Sequence, residues 1–177
     1  ETQADEGADY IAVNLDAFGE DNPDMAVEMM KEYVKLVRQW GKGIPVCVDS
    51  SNDDVLIAGL KEWYNTDQPV RPPQLNSIKL FTADKMMPLK KQYDFCFIGL
   101  LVTEDKAKGP GGSHSVEELF DLAQQIYAKA MQYGFKTSEI FFDSTVFPIA
   151  IDMPMEAGVP GYTYRAFETI KRIKSDP

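Results

Sequence analysis

What this sequence has little of narrows it first. There is a single histidine, His114, and there are only two cysteines, Cys47 and Cys96, each set inside an apolar run. A Cys/His zinc cluster has no material here, and the cysteines read as two reduced core residues rather than a disulfide. A catalytic metal wants three ligands of fixed geometry, and the one histidine lies out of register with the aspartates, so no metal site is expected. Positive charge is scarce as well: Lys plus Arg number 18 against 28 Asp plus Glu, a formal net charge of -10. A field of that sign opposes capture of nucleic acid or anionic lipid, and neither is expected as a partner. A small anionic ligand stays open, because local backbone N–H groups can oppose the global sign. No stretch approaches the roughly 20 apolar residues that span a bilayer, and no basic leader opens the chain, so a cytoplasmic location is the expectation. A nucleotide-type phosphate turn is missing too: "NLDAFGED" after the first strand is not G-x-G-x-x-G, and "GPGG" at 109–112 lacks the lysine of a phosphate loop.

What is there is a repeat. The 177 residues, 44% of them apolar, suit one domain with a substantial core, spanning 1–177. Apolar strand, polar turn and amphipathic helix follow one another five times. The expected strands are 10–15, 45–49, 75–80, 95–102 and 139–143. Between them, Pro23 fits the first turn of a helix whose Ala26, Met29, Met30, Tyr33, Val34, Val37 and Trp40 recur at three and four residues. Met25, Met29 and Met30 read as core filler, and Trp40 and Trp63 as core. "SNDD" supplies caps for a helix over 55–64, a further helix is expected over 83–92, and Ser115 or Ser113 with Glu117 or Glu118 forms a capping box for the next. A last helix covers 164–173. Five strands each followed by a helix mean an α/β fold with a parallel sheet. An eight-unit barrel usually needs about 250 residues, so five units imply an incomplete barrel of the (β/α) type unless the sheet is open and doubly wound.

The strand ends carry the chemistry. Asn14 ends the first strand, Asp49 the second and Asp143 the fifth, while Asn76 lies in the third. In a parallel α/β layer these ends share one side, because every crossover returns the chain to the same starting edge. Carboxylates and carboxamides together offer paired acceptors and donors, which suits a flat heterocycle with adjacent ring N–H, amino and carbonyl groups. Against this stands the plain reading in which Asn and Asp at strand ends cap helices or close turns. Loop residues "GPGG" and His114 are expected to face solvent.

The ordered segments "GADYIAVNL", "VCVDSSNDDVLIAGLK", "LNSIK", "FIGLLV" and "FFDSTVFP" resemble the pterin-binding barrel of methyltetrahydrofolate:corrinoid methyltransferases, a domain related to that of cobalamin-dependent methionine synthase and to dihydropteroate synthase. The resemblance covers nearly the whole chain. It implies that Asp49, Asn76 and Asp143 hydrogen-bond a pterin ring, with Asn14 lining the same mouth, and that Asn76 and Asp143 are the catalytic candidates. The implied reaction moves a methyl group from N5 of methyltetrahydrofolate, or a related pterin donor, to the Co(I) form of a corrinoid carried by a partner protein.

The family pattern has a strand before residue 10 and more beyond 177, so a partial barrel is expected; if it closes by association, a homodimer or a complex follows. "DSTVFP" replaces the D-P expected at the fifth strand, and an acidic turn replaces the glycine-containing loop after Asn14. Alternatives are a non-catalytic pterin-binding or scaffold module, a dihydropteroate synthase-like enzyme with Lys79 as its lone basic candidate, and a metal-dependent hydrolase or lyase using Asp49 and Asp143.

Overall fold

Short runs of β-branched, aromatic and sulfur-bearing residues form five strands in the computed structural model, which describes residues 2–104, 115–146 and 160–176. These are β1 (Ile11–Asn14), β2 (Val46–Asp49), β3 (Gln74–Ile78), β4 (Cys96–Leu100) and β5 (Ile140–Asp143). All neighbours pair in parallel, and the order across the sheet is the order along the chain. A doubly wound sheet would reverse direction at a switch point. Strict sequential order is instead the winding of a (β/α) barrel, here represented by five units of an incomplete one.

The helices are α1 (Thr2–Asp5), α2 (Asp16–Gly19), α3 (Pro23–Trp40), α4 (Asp53–Trp63), α5 (Ala83–Met86), α6 (Val116–Gln132) and α7 (Tyr162–Ser175). Their ends follow the local chemistry. Pro23 occupies the first turn of α3, where its missing N–H costs nothing. Asn52 caps α4 by accepting from Asp54 N–H at 2.8 Å. Ser115 and Glu118 close a reciprocal capping box on α6, at 3.2 and 2.8 Å.

One expected helix, over 83–92, is broken. Leu80–Thr82 is a 3₁₀ turn, α5 takes four residues, and Met87–Lys91 is 3₁₀ again. Pro88 is the reason: it offers no N–H to the preceding turn and its ring crowds the carbonyl there, so the chain tightens.

The core lies on one face of the sheet. Val46, Val48, Leu75 and Phe97 are fully buried beneath Met30, Val34, Leu56, Leu60 and Ile126 of α3, α4 and α6. On α3 the residues turned inward are Ala26, Met30 and Val34. The side toward α4 carries Arg38, whose guanidinium donates to the carbonyls of Glu62 and Trp63 and pairs with the Glu62 carboxylate at 3.2 Å.

Two expectations for α3 are corrected. Met25 and Trp40, read as core, are each 53% exposed, and Tyr33 is 44% exposed. They sit one position off the inward stripe, about 100° around a 3.6-residue helix, on the flank away from α4. Trp63 is buried as expected, and its indole N–H donates to the Arg71 carbonyl at 2.9 Å.

Gly59 marks the closest approach of α4 to the sheet, since a Cβ there would stand 2.6 Å from Val48 Cγ1 and 3.1 Å from Met30 Cγ. Alanine would gain about 1 kcal/mol of helix propensity but overpacks a junction where such insertions cost ~1–3 kcal/mol. Gly59→Ala is therefore expected to lower the unfolding free energy in urea by about 1 kcal/mol. In a double-mutant cycle, Val48→Ala should relieve part of that loss.

Candidate functional site

Side chains along a strand alternate between the two faces of its sheet. Since Val13, Val48, Leu75 and Phe97 face the helices, Asn14, Asp49, Asn76 and Ile98 must face away from them. The pairing places these four in one row: Asn14 opposite Asp49, Asp49 opposite Asn76, Asn76 opposite Ile98. Three polar side chains thus stand on three adjacent strands, at the spacing of about 4.8 Å that hydrogen-bonded strands impose. Asp143 belongs to the same face but not to the row. It pairs with Leu100, two residues beyond Ile98, and so sits roughly 7 Å nearer the C-terminal opening.

Asn14 and Asp143 have hydrogen-bond partners for their side chains, and Asn76 is tied through its main chain. Asn14 Oδ1 accepts from the Asp16 N–H at 2.9 Å, and its carboxamide stands directly across from Asp49 on the neighbouring strand. The oxygen being engaged, the amide N–H of Asn14 is the group available to the Asp49 carboxylate. Burial pushes the Asp49 carboxyl above the usual carboxylate range; the neighbouring Asn14 carboxamide opposes that and the negative charge of Asp16 adds to it. The main-chain carbonyl of Asn76 accepts from Ser50 N–H at 2.9 Å, tying the third strand to the turn after the second. Asp143 Oδ1 accepts from the Thr145 N–H at 2.7 Å, a local turn that engages one of its two oxygens.

One layer deeper on the same face, Cys47 and Cys96 flank Gln74. Both cysteines are free and buried, but they stand on the face opposite the apolar core. Tyr10 Oη lies 3.3 Å from Cys96 Sγ. Burial, with the nearby Asp49 charge second, pushes the Cys47 thiol up to about 12, so it stays protonated at neutral pH.

A contact set at the mouth was not foreseen from the sequence. Asp16 accepts from Ser50 Oγ at 2.6 Å and from Ser51 N–H at 2.8 Å, linking the turns after β1 and β2. The available signal was an aspartate two residues past Asn14, a common turn pattern that says nothing about what its carboxylate reaches. Lys79 is buried, and its ammonium donates to the Ser51 carbonyl at 3.4 Å. His114 and the "GPGG" loop lie outside the described residues. Among the described residues, no three His, Cys, Asp or Glu side chains are grouped to hold a metal ion. Nor is any helix among them long and apolar enough to cross a membrane.

A sequentially wound parallel sheet with polar side chains gathered at its C-terminal edge defines a barrel-type α/β domain of the kind that binds small molecules at that edge. The family model for pterin binding enzymes matches residues 1–172. The chain belongs to the pterin-binding enzyme family.

Asp49 has a measurable consequence for stability. Its carboxyl is held above its ordinary value, so the folded state disfavours the ionised form, and folding gains stability as pH falls through the raised value. Asp49→Asn is expected to raise the melting temperature at pH 7, with the advantage shrinking as pH falls through the raised value and gone below the ordinary carboxylate range. Thermal unfolding of both proteins from pH 7 to pH 3 checks the sign.

Proposed function

We propose that this chain binds methyltetrahydrofolate, or a related pterin methyl donor, across Asn14, Asp49, Asn76 and Asp143. We propose further that it serves transfer of the N5 methyl group to a corrinoid on a partner protein. The observation that carries the reading is the row itself: a carboxylate flanked on both sides by carboxamides, on adjacent strands. The pyrimidine edge of a pterin presents an amino group and a ring N–H side by side, with a carbonyl beyond. Asp49 can accept from the two N–H groups, while Asn14 and Asn76 can each donate or accept at the neighbouring positions. Asp49 must be ionised for that role, and the ligand's donors would supply the partners that burial denies it in the free protein.

Breaking the C–N5 bond leaves developing charge on a poor leaving group, so a hydrogen bond there is worth more in the transition state than in the bound substrate. The electron pair left on N5 must take up a proton: Asn76, beside Asp49, is assigned to donate its amide N–H there, and Asp143, nearer the opening with one oxygen uncommitted by its turn, to hold the water that delivers the proton. The corrinoid supplies the cobalt nucleophile. It belongs to the partner protein, and no residue of this chain is asked to ligate it.

One observation favours a second reading, a pterin-binding module without chemistry. Phe141, on the same face as the row, is 46% exposed among the described residues, whereas methyl transfer profits from a site closed to water.

Titration calorimetry with methyltetrahydrofolate tests the binding. Asp49→Ala and Asn76→Ala should each weaken it by about 1–3 kcal/mol, the cost of leaving a buried partner unsatisfied. Methyl transfer to free cob(I)alamin, followed in the visible spectrum, separates the two readings. Asp143→Ala is expected to slow transfer more than it weakens binding. A folded wild-type protein that fails to bind contradicts the assignment.

A further inference from the structure

Asp16 makes contacts that the pterin reading does not use. Its backbone N–H donates to Asn14 Oδ1 at 2.9 Å, which fixes the carboxamide that stands across from Asp49. Its carboxylate spends both oxygens on the next turn, accepting from Ser50 Oγ at 2.6 Å and from Ser51 N–H at 2.8 Å. Ser50 directly follows Asp49, is 4% exposed, and accepts from Asn52 N–H at 3.1 Å. One residue therefore holds Asn14 through its main chain and, through its side chain, the Ser50–Ser51 turn that directly follows Asp49.

We propose that Asp16 is a positioning residue for pterin recognition, holding the Asn14 carboxamide and the Asp49 carboxylate in fixed register across β1 and β2. The proposal rests on the pterin reading above and adds a residue to it. The chemistry calls for a carboxylate at this place. Both groups that reach it, a hydroxyl and a backbone N–H, are donors here, and an asparagine would turn an NH₂ toward one of them. Bonds of this kind to an ionised acceptor are also the stronger ones.

The charge on Asp16 has an effect of its own, because it adds to the proton affinity of Asp49. Among the described residues, the other groups facing Asp49 leave Asp16 as the close charge. Cys47 on the same strand stays a neutral thiol. Asn76 on β3 is uncharged, the Lys79 ammonium is turned to the Ser51 carbonyl, β4 contributes Ile98 to the row, and Asp143 on β5 is one layer nearer the opening. Recognition of pterin N–H groups needs Asp49 ionised, so affinity should climb as pH rises through the Asp49 titration and level off above it.

The test compares wild type, Asp16→Asn and Ser50→Ala in two measurements. One is the dissociation constant for methyltetrahydrofolate across pH; the other is the carboxyl ¹³C titration of Asp49 without ligand. Asp16→Asn is expected to weaken binding about tenfold near neutral pH, the effect of one lost hydrogen bond to a charged group. It should also move the Asp49 titration to lower pH. Ser50→Ala should weaken binding and leave the titration where it is. Asp16→Ser, smaller and still an acceptor, replaces Asp16→Asn if that variant does not fold.

Unchanged affinity in Asp16→Asn overturns the proposal. So does a loss of affinity with the Asp49 titration unmoved, since a loosened turn alone would give that. Failure of the wild-type protein to bind contradicts the pterin reading itself, and is told apart because Asp49 still titrates lower in Asp16→Asn.

Discussion

Parallel pairing in strict chain order is the constraint on which the rest of the structure depends. It puts residue 14 beside 49 and 49 beside 76. Because strand side chains alternate, it also decides that all three share a face once Val13, Val48 and Leu75 are turned to the helices. A slip of one residue in β2 would send Val48 to the open face and Asp49 into the apolar layer under α3 and α4. Burying an unpaired carboxylate there costs several kcal/mol, so the apolar packing that holds the register also holds the polar row.

The polar row is in turn a cost to the fold. Asp49 is kept in a setting that disfavours its ionised form, and the neighbouring Asp16 makes matters worse. Asn14 returns part of that, and Ser50 and Ser51 keep Asp16 itself satisfied. Groups arranged this way are stabilised best when a ligand brings its own donors, which is how strained or under-satisfied settings come to mark functional positions.

Much of this was legible from residue order. Short β-branched and aromatic runs gave the strands within a few residues, Pro23, Asn52 and Ser115 marked helix starts, and Asn14, Asp49 and Asp143 were assigned to strand ends with Asn76 inside the third strand. What was not legible depends on three-dimensional neighbours. Trp40 and Met25 carry apolar side chains, and nothing local says that they fall on the outer flank of α3 rather than on the stripe above β1. The break at Pro88 could have been read from proline alone. The reach of Asp16 to Ser50 and Ser51, over 34 and 35 residues, could not, since it exists only once β1 and β2 lie side by side.

Side-chain amide NMR tests the central claim most directly. The NH₂ signals of Asn14 and Asn76 would be followed as methyltetrahydrofolate is added, with the indole N–H of Trp63, on the helical side, as the internal reference. A ligand seated on the row shifts both asparagine signals saturably and together, and leaves Trp63 unmoved. Saturable shifts confined to the helical side, with both asparagines still, would contradict a pterin site on this face of the sheet.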